Sequence, residues 1–184
     1  MATALIPLAE GFEEIEAITL IDVLRRGGVE VTTAALTQPL VKGAHGVAIQ
    51  ADCLLDSVLQ RDFDLIVLPG GLPGAHHLRD DARVQALLQG AARQGRYTAA
   101  ICAAPVALAS AGLLDGKRAT SYPGCLDVQP APGMQFDTAA VVQDGQVITS
   151  RGPATATAFS LHLVGLLQGA EVAAQVARGM LVSS

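Results

Sequence analysis

The segment Tyr97–Pro105, which reads YTAAICAAP, decides the fold because it joins a buried strand, a tight turn and the start of a helix. Its first residues are a short apolar run that predicts a buried strand, and this run leads directly into Cys102. Pro105–Ala111 predicts a helix, since a proline near the first turn costs little. A nucleophile on a sharp strand-to-helix turn needs small residues two positions to either side, as in the serine motif Gly-x-Ser-x-Gly. Ala100 and Ala104 meet this need, so the spacing predicts a nucleophile elbow at Cys102.

The elbow also predicts the surroundings of the sulfur. We expect the Cys102 sulfur to project into solvent above the sheet, with the N-terminus of the following helix favouring its thiolate form. The N–H of Ala103 can donate to an anion beside the sulfur, and a second N–H can come from Gly71. A buried, inert cysteine is the competing interpretation, and local spacing alone leaves both open.

Strand and helix patterns alternate along the rest of the chain. Phe63–Leu68 is the clearest central strand, and it ends in the tightly turning Pro69-Gly70-Gly71. Asp144-Gly145, between two short strand patterns (Val141–Gln143 and Gln146–Ser150), predicts a hairpin. The other predicted strands are Ala4–Leu8, Val29–Leu36 and a weaker Gly46–Ala51, and the other predicted helices are Glu13–Arg26, Asp80–Gln94, Thr155–Leu167 and Glu171–Arg178.

This alternation predicts an α/β fold with a doubly wound, mostly parallel sheet and helices on both faces. Ligands bind outside the carboxyl ends of the strands in such sheets. Two strand ends carry unusual residues, the glycine pair Gly70-Gly71 and Cys102. We therefore expect the functional site at that edge of the sheet.

Composition limits the class of protein. The 184 residues suit a single domain, residues 1–184, and 51% of them are hydrophobic. The net charge is −5 and 3% of residues are aromatic, which argues against nucleic-acid binding. Without a basic leader, a long apolar stretch or a regular cysteine pattern, the sequence predicts a cytoplasmic protein that spans no membrane and holds no metal. Cys53 is expected to pack in the interior and Cys125 to lie in a loop.

Other chemistry-bearing residues are less specific. Glu16, in the first turns of the first predicted helix, can reach the site if that helix starts above the carboxyl edge, although the residues alone favour a solvated acidic helix start. A thiol nucleophile often has a histidine base. No histidine is placed as one here: His45 lies in a loop, His162 is expected in the core, and His76 and His77 are expected in solvent near the strand ends.

Four motifs together resemble a known family. They are Glu13-Glu14-Ile15-Glu16, Leu68-Pro69-Gly70-Gly71, Ala100-Ile101-Cys102-Ala103-Ala104-Pro105 and Thr149-Ser150-Arg151-Gly152-Pro153. In this order and spacing the chain, from about Ala4 to Val182, is similar to the Parkinson-disease-associated deglycase family of the DJ/PfpI superfamily. The resemblance favours a functional Cys102.

The resemblance implies a flavodoxin-like fold and a homodimer. It implies that the Glu16 carboxyl group hydrogen-bonds the Cys102 sulfur, which lowers the thiol pKa and steadies a sulfinate. The helix N-terminus and a protonated Glu16 together are expected to lower this pKa by about two units or more. Gly71 and Ala103 would supply the oxyanion N–H groups. The auxiliary candidates are Tyr122, Arg26 and Arg151, and no cofactor is implied.

The family resemblance leaves two functions open. One is a cofactor-free glyoxalase or deglycase that acts on methylglyoxal or early glycation adducts, and the other is a redox sensor or chaperone switched by oxidation of Cys102. Better-studied members have His where Tyr122 stands, and a phenol with a pKa of roughly 10 is a poor proton shuttle at neutral pH. The protease-like branch has His in place of Ala103, and amidotransferases need a late His-x-Glu that His162-Leu163-Val164 does not supply, so both are rejected.

Overall fold

A computed structural model describes residues 1–127, 129 and 131–182, so residues 183 and 184 of the predicted domain range lie outside the described residues. The strands are β1 Thr3–Leu8, β2 Glu30–Ala35, β3 Leu40–Lys42, β4 Ala48–Gln50, β5 Cys53–Leu54, β6 Leu65–Leu68, β7 Tyr97–Ile101, β8 Arg118–Ala119, β9 Gln135–Phe136, β10 Val141–Asp144 and β11 Val147–Ser150. The α-helices are α1 Glu14–Arg26, α2 Gly74–Asp80, α3 Ala82–Arg93, α4 Pro105–Ser110, α5 Ala156–Gln168 and α6 Ala170–Gly179. Short 3₁₀ turns cover Leu55–Val58, Cys125–Asp127 and Pro153–Thr155.

Seven of these strands form one sheet in the order β10-β11-β7-β6-β1-β2-β5. All neighbours in it are parallel except β10 and β11, the hairpin predicted at Asp144-Gly145. The five central parallel strands, taken in chain order, run 2-1-3-4-5, which is the flavodoxin-like order. The predicted fold class is confirmed.

The core has two halves because the side chains of a strand alternate between its faces. On β1, Leu5 packs with the helices α2, α3 and α4, whereas Ala4 and Ile6 pack with α1, α5 and α6. All three β1 side chains are fully buried. The sheet is therefore covered on both faces, as its continuous apolar strands require.

Local structure differs from the sequence predictions at three places. The predicted helix Asp80–Gln94 is two helices, since Asp81 has an extended backbone and its side chain accepts from the N–H of Arg83 at 2.9 Å, capping α3. The weak strand expected at Gly46–Ala51 is β4, which pairs only with β3, outside the main sheet. His162 is half-buried and bonds Gln143 at 2.8 Å, so its expected core position is wrong.

No helix among the described residues is both long and apolar enough to cross a bilayer.

Register brings three strand ends together at one edge of the sheet. Leu68 of β6 is opposite Ala100 of β7, and Ile101 is opposite Ser150 of β11. The next residues along the chain are therefore neighbours in space. Helix α1 begins at the same edge, where the N–H of Glu13 donates to the carbonyl of Gly70 at 2.9 Å.

The close approach of β6 to α1 leads to a stability prediction. Gly71 has φ +88°, and a Cβ there would lie 2.3 Å from the backbone nitrogen of Glu13. Gly95 also has a positive φ, +69°, but nothing lies within 4 Å of its Cβ position. We expect Gly71→Ala to lower the free energy of unfolding by about 3 kcal/mol or more, since it adds a backbone clash to the strain. Gly95→Ala, the matched control, should lose only about 1–2 kcal/mol from the left-handed backbone. If urea titrations show that both variants lose the same free energy of unfolding, the close approach of Gly71 to the backbone of Glu13 is contradicted.

Candidate active site

Cys102 occupies a strained turn between β7 and α4. Its φ is +64°, in the left-handed backbone region that residues other than glycine rarely adopt. Such a backbone costs on the order of 1–3 kcal/mol and persists only where the surroundings hold it. Here the N–H of Cys102 donates to the carbonyl of Ser150 at 3.0 Å, and its carbonyl accepts from the N–H of Tyr122 at 2.8 Å. The small neighbours that the elbow requires, Ala100 and Ala104, are fully buried.

The sulfur is more enclosed than the sequence suggests. Cys102 is 9% exposed, so the expectation that its sulfur projects into solvent is wrong. The backbone of Gly70 lies against it, since a Cβ on Gly70 would be 2.7 Å from the Cβ of Cys102. The backbone N–H groups of Ala103 and Gly71 face the sulfur closely enough to favour its anion and so act to lower the pKa of the Cys102 thiol. The site thus has the two amide donors of an oxyanion hole around one buried sulfur.

Glu16 lies next to this sulfur. Its side chain is fully buried, so a solvated acidic helix start does not describe it. Oε2 accepts from the N–H of Gly70 at 2.8 Å, and the carboxyl group also interacts with the Cys102 thiol. Oε1 is buried and has no hydrogen bond of good geometry among the described residues. A buried carboxyl oxygen without a partner is costly, and this one is next to the candidate nucleophile.

Burial controls the protons of the Glu16–Cys102 pair. Burial raises the pKa of Glu16 from 4.5 to about 7, against the opposing hydrogen bonds from Gly70 and Cys102. Burial, and then the Glu16 carboxylate, raises the pKa of the Cys102 thiol to about 12, while the N–H groups of Ala103 and Gly71 act in the opposite direction. The expected lowering of the thiol pKa is therefore wrong, because the elbow buries the sulfur. Above the Glu16 pKa the pair holds one proton, and the nucleophilic form is the one that carries it on Glu16.

The three auxiliary candidates have different positions. Tyr122 is half-exposed; its backbone N–H donates to the carbonyl of Cys102, and its ring lies beside Gly152. Arg151 follows β11 and donates to the carbonyl of Thr138 at 3.2 Å. Arg26 forms an ion pair with Asp22 at 2.6 Å at the far end of α1. That end is about 15 Å along the helix from Glu16, so within this chain Arg26 is remote from Cys102.

No histidine hydrogen bond among the described residues involves Cys102. His77 contacts the carbonyl of Glu10 at 3.1 Å, and His162 contacts Gln143. His45 instead contacts Glu14, at 3.0 Å, and Glu13, at 3.6 Å. Sequence analysis missed this contact, because 31 residues separate His45 from Glu14 and no local pattern links them.

A cavity with a volume of about 500 Å³ lies away from Cys102, between α3 and the loop before β6. Leu59, Phe63 and Leu87 are among the side chains that line it, and none of the Cys102 site residues does. The cavity is therefore separate from the candidate chemistry.

Glu16 gives the stability of the protein a pH dependence. The pKa of the Glu16 carboxyl group is raised by folding from 4.5 to about 7, so its contribution to stability, measured relative to high pH, is fully present below about pH 4.5 and is lost as the pH rises through about 7. Glu16→Gln removes this loss. We expect the free energy of unfolding of the variant, relative to wild type, to rise by about 3 kcal/mol between about pH 4 and pH 8. Urea titrations across this pH range test the prediction, with Glu171→Gln at an exposed position of α6 as the control. A difference in free energy of unfolding between Glu16→Gln and wild type that stays the same at every pH would contradict the raised pKa of Glu16.

Comparison with known proteins identifies the family. Residues 2–166 match the model of the DJ-1/PfpI family. The Arabidopsis thaliana protein named Protein DJ-1 homolog A is 43% identical over 98% of this chain, and the chain spans only 46% of that relative. Deglycase PH1704 of Pyrococcus horikoshii is 34% identical over 87% of the chain and 96% of the relative.

Solved structures agree with the sequence match. A structure of oxidized Toxoplasma gondii DJ-1 has a TM-score of 0.95 and 38% identity, covering 100% of both chains. This agreement extends over the sheet and the edge that carries Cys102. The chain therefore belongs to the DJ-1/PfpI family, as its four motifs predicted.

Proposed function

We propose that this protein is a Cys102-dependent, cofactor-free enzyme that acts on methylglyoxal or on early glycation adducts formed by such aldehydes. The observation that carries the proposal is the arrangement at Cys102: a strained elbow, two amide donors at the sulfur, and a buried Glu16 oxygen that has no hydrogen-bond partner within the described part of the chain. The name of Deglycase PH1704, a relative of which this chain covers 96%, supports the same reaction class.

The geometry supports addition of sulfur to an aldehyde. As the thiol proton passes to Glu16, the sulfur bonds the aldehyde carbon, and the carbonyl electron pair moves to the oxygen. The N–H groups of Ala103 and Gly71 stabilise the resulting oxyanion, which takes a proton to give a hemithioacetal. In methylglyoxal, moving the hydrogen of this carbon to the neighbouring carbonyl carbon, and the hydroxyl proton to the oxygen of that carbonyl, gives a lactoyl thioester. Water then releases lactate and restores the thiol, so the net reaction is methylglyoxal plus water to lactate.

Glu16 suits the proton transfers of this sequence. A general acid or base works best when its pKa lies near the working pH, and that of Glu16 is about 7. Tyr122, whose backbone is bonded to Cys102, carries a phenol, which donates hydrogen bonds but exchanges protons poorly at neutral pH. Turnover of methylglyoxal should therefore be slow.

The decisive experiment follows methylglyoxal loss and lactate formation by the purified protein. We expect slow turnover by wild type and at least about a 100-fold loss in Cys102→Ser, since hydroxyl oxygen is a far weaker nucleophile here. Tyr122→His should raise the rate by about tenfold or more if a proton shuttle is what limits turnover.

Equal rates in wild type and Cys102→Ser would remove the enzymatic function. An unchanged rate in Tyr122→His would mean that Tyr122 takes no part in proton transfer. Cys125→Ser, which alters a half-buried thiol outside the site, is the matched control and should leave the rate unchanged.

The alternative function is a redox sensor or chaperone switched by oxidation of Cys102. Oε1 of Glu16, which has no partner among residues 1–127, 129 and 131–182, favours this alternative, because a protonated Glu16 can donate there to a sulfinate oxygen while Ala103 and Gly71 donate to the other. The related Toxoplasma gondii protein was solved in a form described as oxidized.

Graded peroxide treatment with mass mapping tests the sensor. The sensor function requires Cys102 to gain two oxygen atoms before Cys53 or Cys125 gains any, and to pause there, even though burial raises the pKa of its thiol and so opposes early oxidation. Glu16→Ala should lose the pause, since the sulfinate then lacks its carboxyl donor. Oxidation of Cys125 first, or the same pause in Glu16→Ala, would rule out a sulfinate held by Glu16.

A homodimer and a cytoplasmic location are part of the proposal. Ile15 and Ile18 on α1 and Leu40 and Val47 on or beside the β3–β4 hairpin are large apolar side chains, each about half exposed. Exposed apolar groups that lie near each other mark association surfaces, and a second copy would cover these. Light scattering at micromolar concentration that gives the 18.8 kDa monomer mass would contradict the dimer.

A further inference from the structure

A cluster of one histidine and two glutamates, where the loop after β3 meets the first turn of α1, has no role in the chemistry above. It consists of Glu13, Glu14 and His45, and one ligand atom from each residue lies within 4.8 Å of the other two. The His45 ring nitrogen Nδ1 is 3.0 Å from Glu14 Oε2 and 3.6 Å from Glu13 Oε1. Imidazole nitrogen and carboxylate oxygen are common ligands of divalent transition metals. Because 31 residues separate His45 from Glu14, no ligand spacing in the sequence indicated a metal.

The spacing of these atoms suits a zinc ion. Zinc binds histidine nitrogen at about 2.0–2.1 Å and carboxylate oxygen at about 2.0–2.2 Å, usually in a tetrahedron. Two ligand atoms of such a tetrahedron are roughly 3.4 Å apart. The measured separations of 3.0 Å and 3.6 Å lie on either side of this value. An ion between the ring and the two carboxylates therefore requires little movement of the side chains.

The backbone of the loop holds Glu14 in place. Glu14 Oε1 accepts from the N–H of His45 at 2.7 Å and from the N–H of Val47 at 3.3 Å, so that Oε2 is the oxygen that faces the ring. The loop also packs tightly, since a Cβ on Gly43 would collide with the Glu14 carboxyl group. Carboxylates that bind metals are usually oriented by hydrogen bonds of this kind. The folded chain thus forms the site in advance.

The charges of the cluster favour a divalent cation. Only 13% of the Glu13 side chain and 10% of the Glu14 side chain are exposed, and within the described part of the chain neither carboxylate forms an ion pair with Lys or Arg. Two enclosed carboxylates that face one imidazole are costly, because one positive charge at most offsets two negative charges. The His45 ring is 71% exposed, so an ion can reach the cluster from solvent.

We propose that Glu13, Glu14 and His45 bind a zinc ion, which fastens the loop after β3 to the first turn of α1, with water completing its coordination. The two glutamates lie at the start of the helix and His45 lies in the loop, so one ion joins both segments. A nitrogen ligand among carboxylates favours zinc over Mg²⁺, which prefers oxygen ligands. The inference does not depend on the proposed function of Cys102.

Calorimetric titration of the purified protein with zinc tests the site. The background is Cys102→Ser, because a thiolate also binds zinc, and the pH is about 7.5, since protons compete for the ring. We expect one zinc ion per chain. His45→Gln and Glu13→Gln should each weaken binding by at least about tenfold, since even the loss of a group that orients a metal ligand costs this much. Glu14→Gln is not used, because Glu14 also holds the loop.

The matched control is His162→Gln in the same background. This histidine bonds Gln143 on another part of the fold, so its removal should leave zinc binding unchanged. The titration uses the protein in its native oligomeric state, because Val47, which adjoins the site, also belongs to the proposed dimer surface.

Thermal unfolding gives a second measurement. An ion that binds only the folded chain raises its midpoint of unfolding. Zinc should therefore raise the midpoint of Cys102→Ser and of its His162→Gln variant, and the rise should be absent in the His45→Gln variant. Mg²⁺ at the same concentration should leave all three midpoints unchanged.

Three results would overturn the proposal. No measurable zinc binding by Cys102→Ser would mean that the three residues form an ion pair only. Equal zinc affinity in Cys102→Ser and its His45→Gln variant would place the ion elsewhere. A thiolate charge-transfer absorption after replacement of zinc by Co²⁺ would place it on Cys53 or Cys125. None of these results bears on methylglyoxal turnover, which the comparison of wild type with Cys102→Ser decides.

Discussion

The absence of side chains at Gly70 and Gly71 is the constraint on which the site depends. A Cβ on Gly70 would lie 2.7 Å from both Cys102 and Glu16, and a Cβ on Gly71 would lie 2.3 Å from the backbone of Glu13. Strand β6, the elbow and the first turn of α1 can therefore approach one another only because two consecutive residues lack side chains. That approach places a backbone N–H from each glycine where it is needed, on Glu16 Oε2 and on the Cys102 sulfur.

The same approach places a carboxyl group and a thiol together out of water. Burial raises the pKa of both groups, to about 7 for Glu16 and about 12 for Cys102, so above about pH 7 the pair holds a single proton. This arrangement destabilises the fold at high pH, because Glu16 must ionise in a buried setting. The same burial gives the site a proton acceptor, Glu16, with a pKa near 7 beside the Cys102 sulfur. The amides of Ala103 and Gly71 stabilise the anion of that sulfur. Strain at Cys102 and an unpartnered oxygen on Glu16 in one place are typical of functional sites.

Much of the architecture could be predicted from local pattern. The apolar run Tyr97–Ile101, the small residues around Cys102 and the Asp144-Gly145 turn each specify a local conformation, and each is found as predicted. Pairs that are distant in sequence could not be predicted this way. The strands of the β3–β4 hairpin are too short for a strong periodic pattern, so only the antiparallel pairing of β3 with β4 in the structure identifies the hairpin. Likewise, nothing in the sequence around His45 indicates its contact with Glu14.

Sequence alone determined the elbow, the glycine pair and the alternation of strands and helices, because these depend on steric rules that act over a few residues. Tertiary structure alone decided how far the Cys102 sulfur is buried, and with it the direction of the thiol pKa, which sequence analysis placed on the wrong side of its usual value. It also decided that Glu16 points into the protein while Glu14 holds the hairpin loop and Arg26 is at the far end of α1. The physical reason is that burial and charge are sums over neighbours from the whole chain, whereas backbone conformation follows largely from adjacent residues.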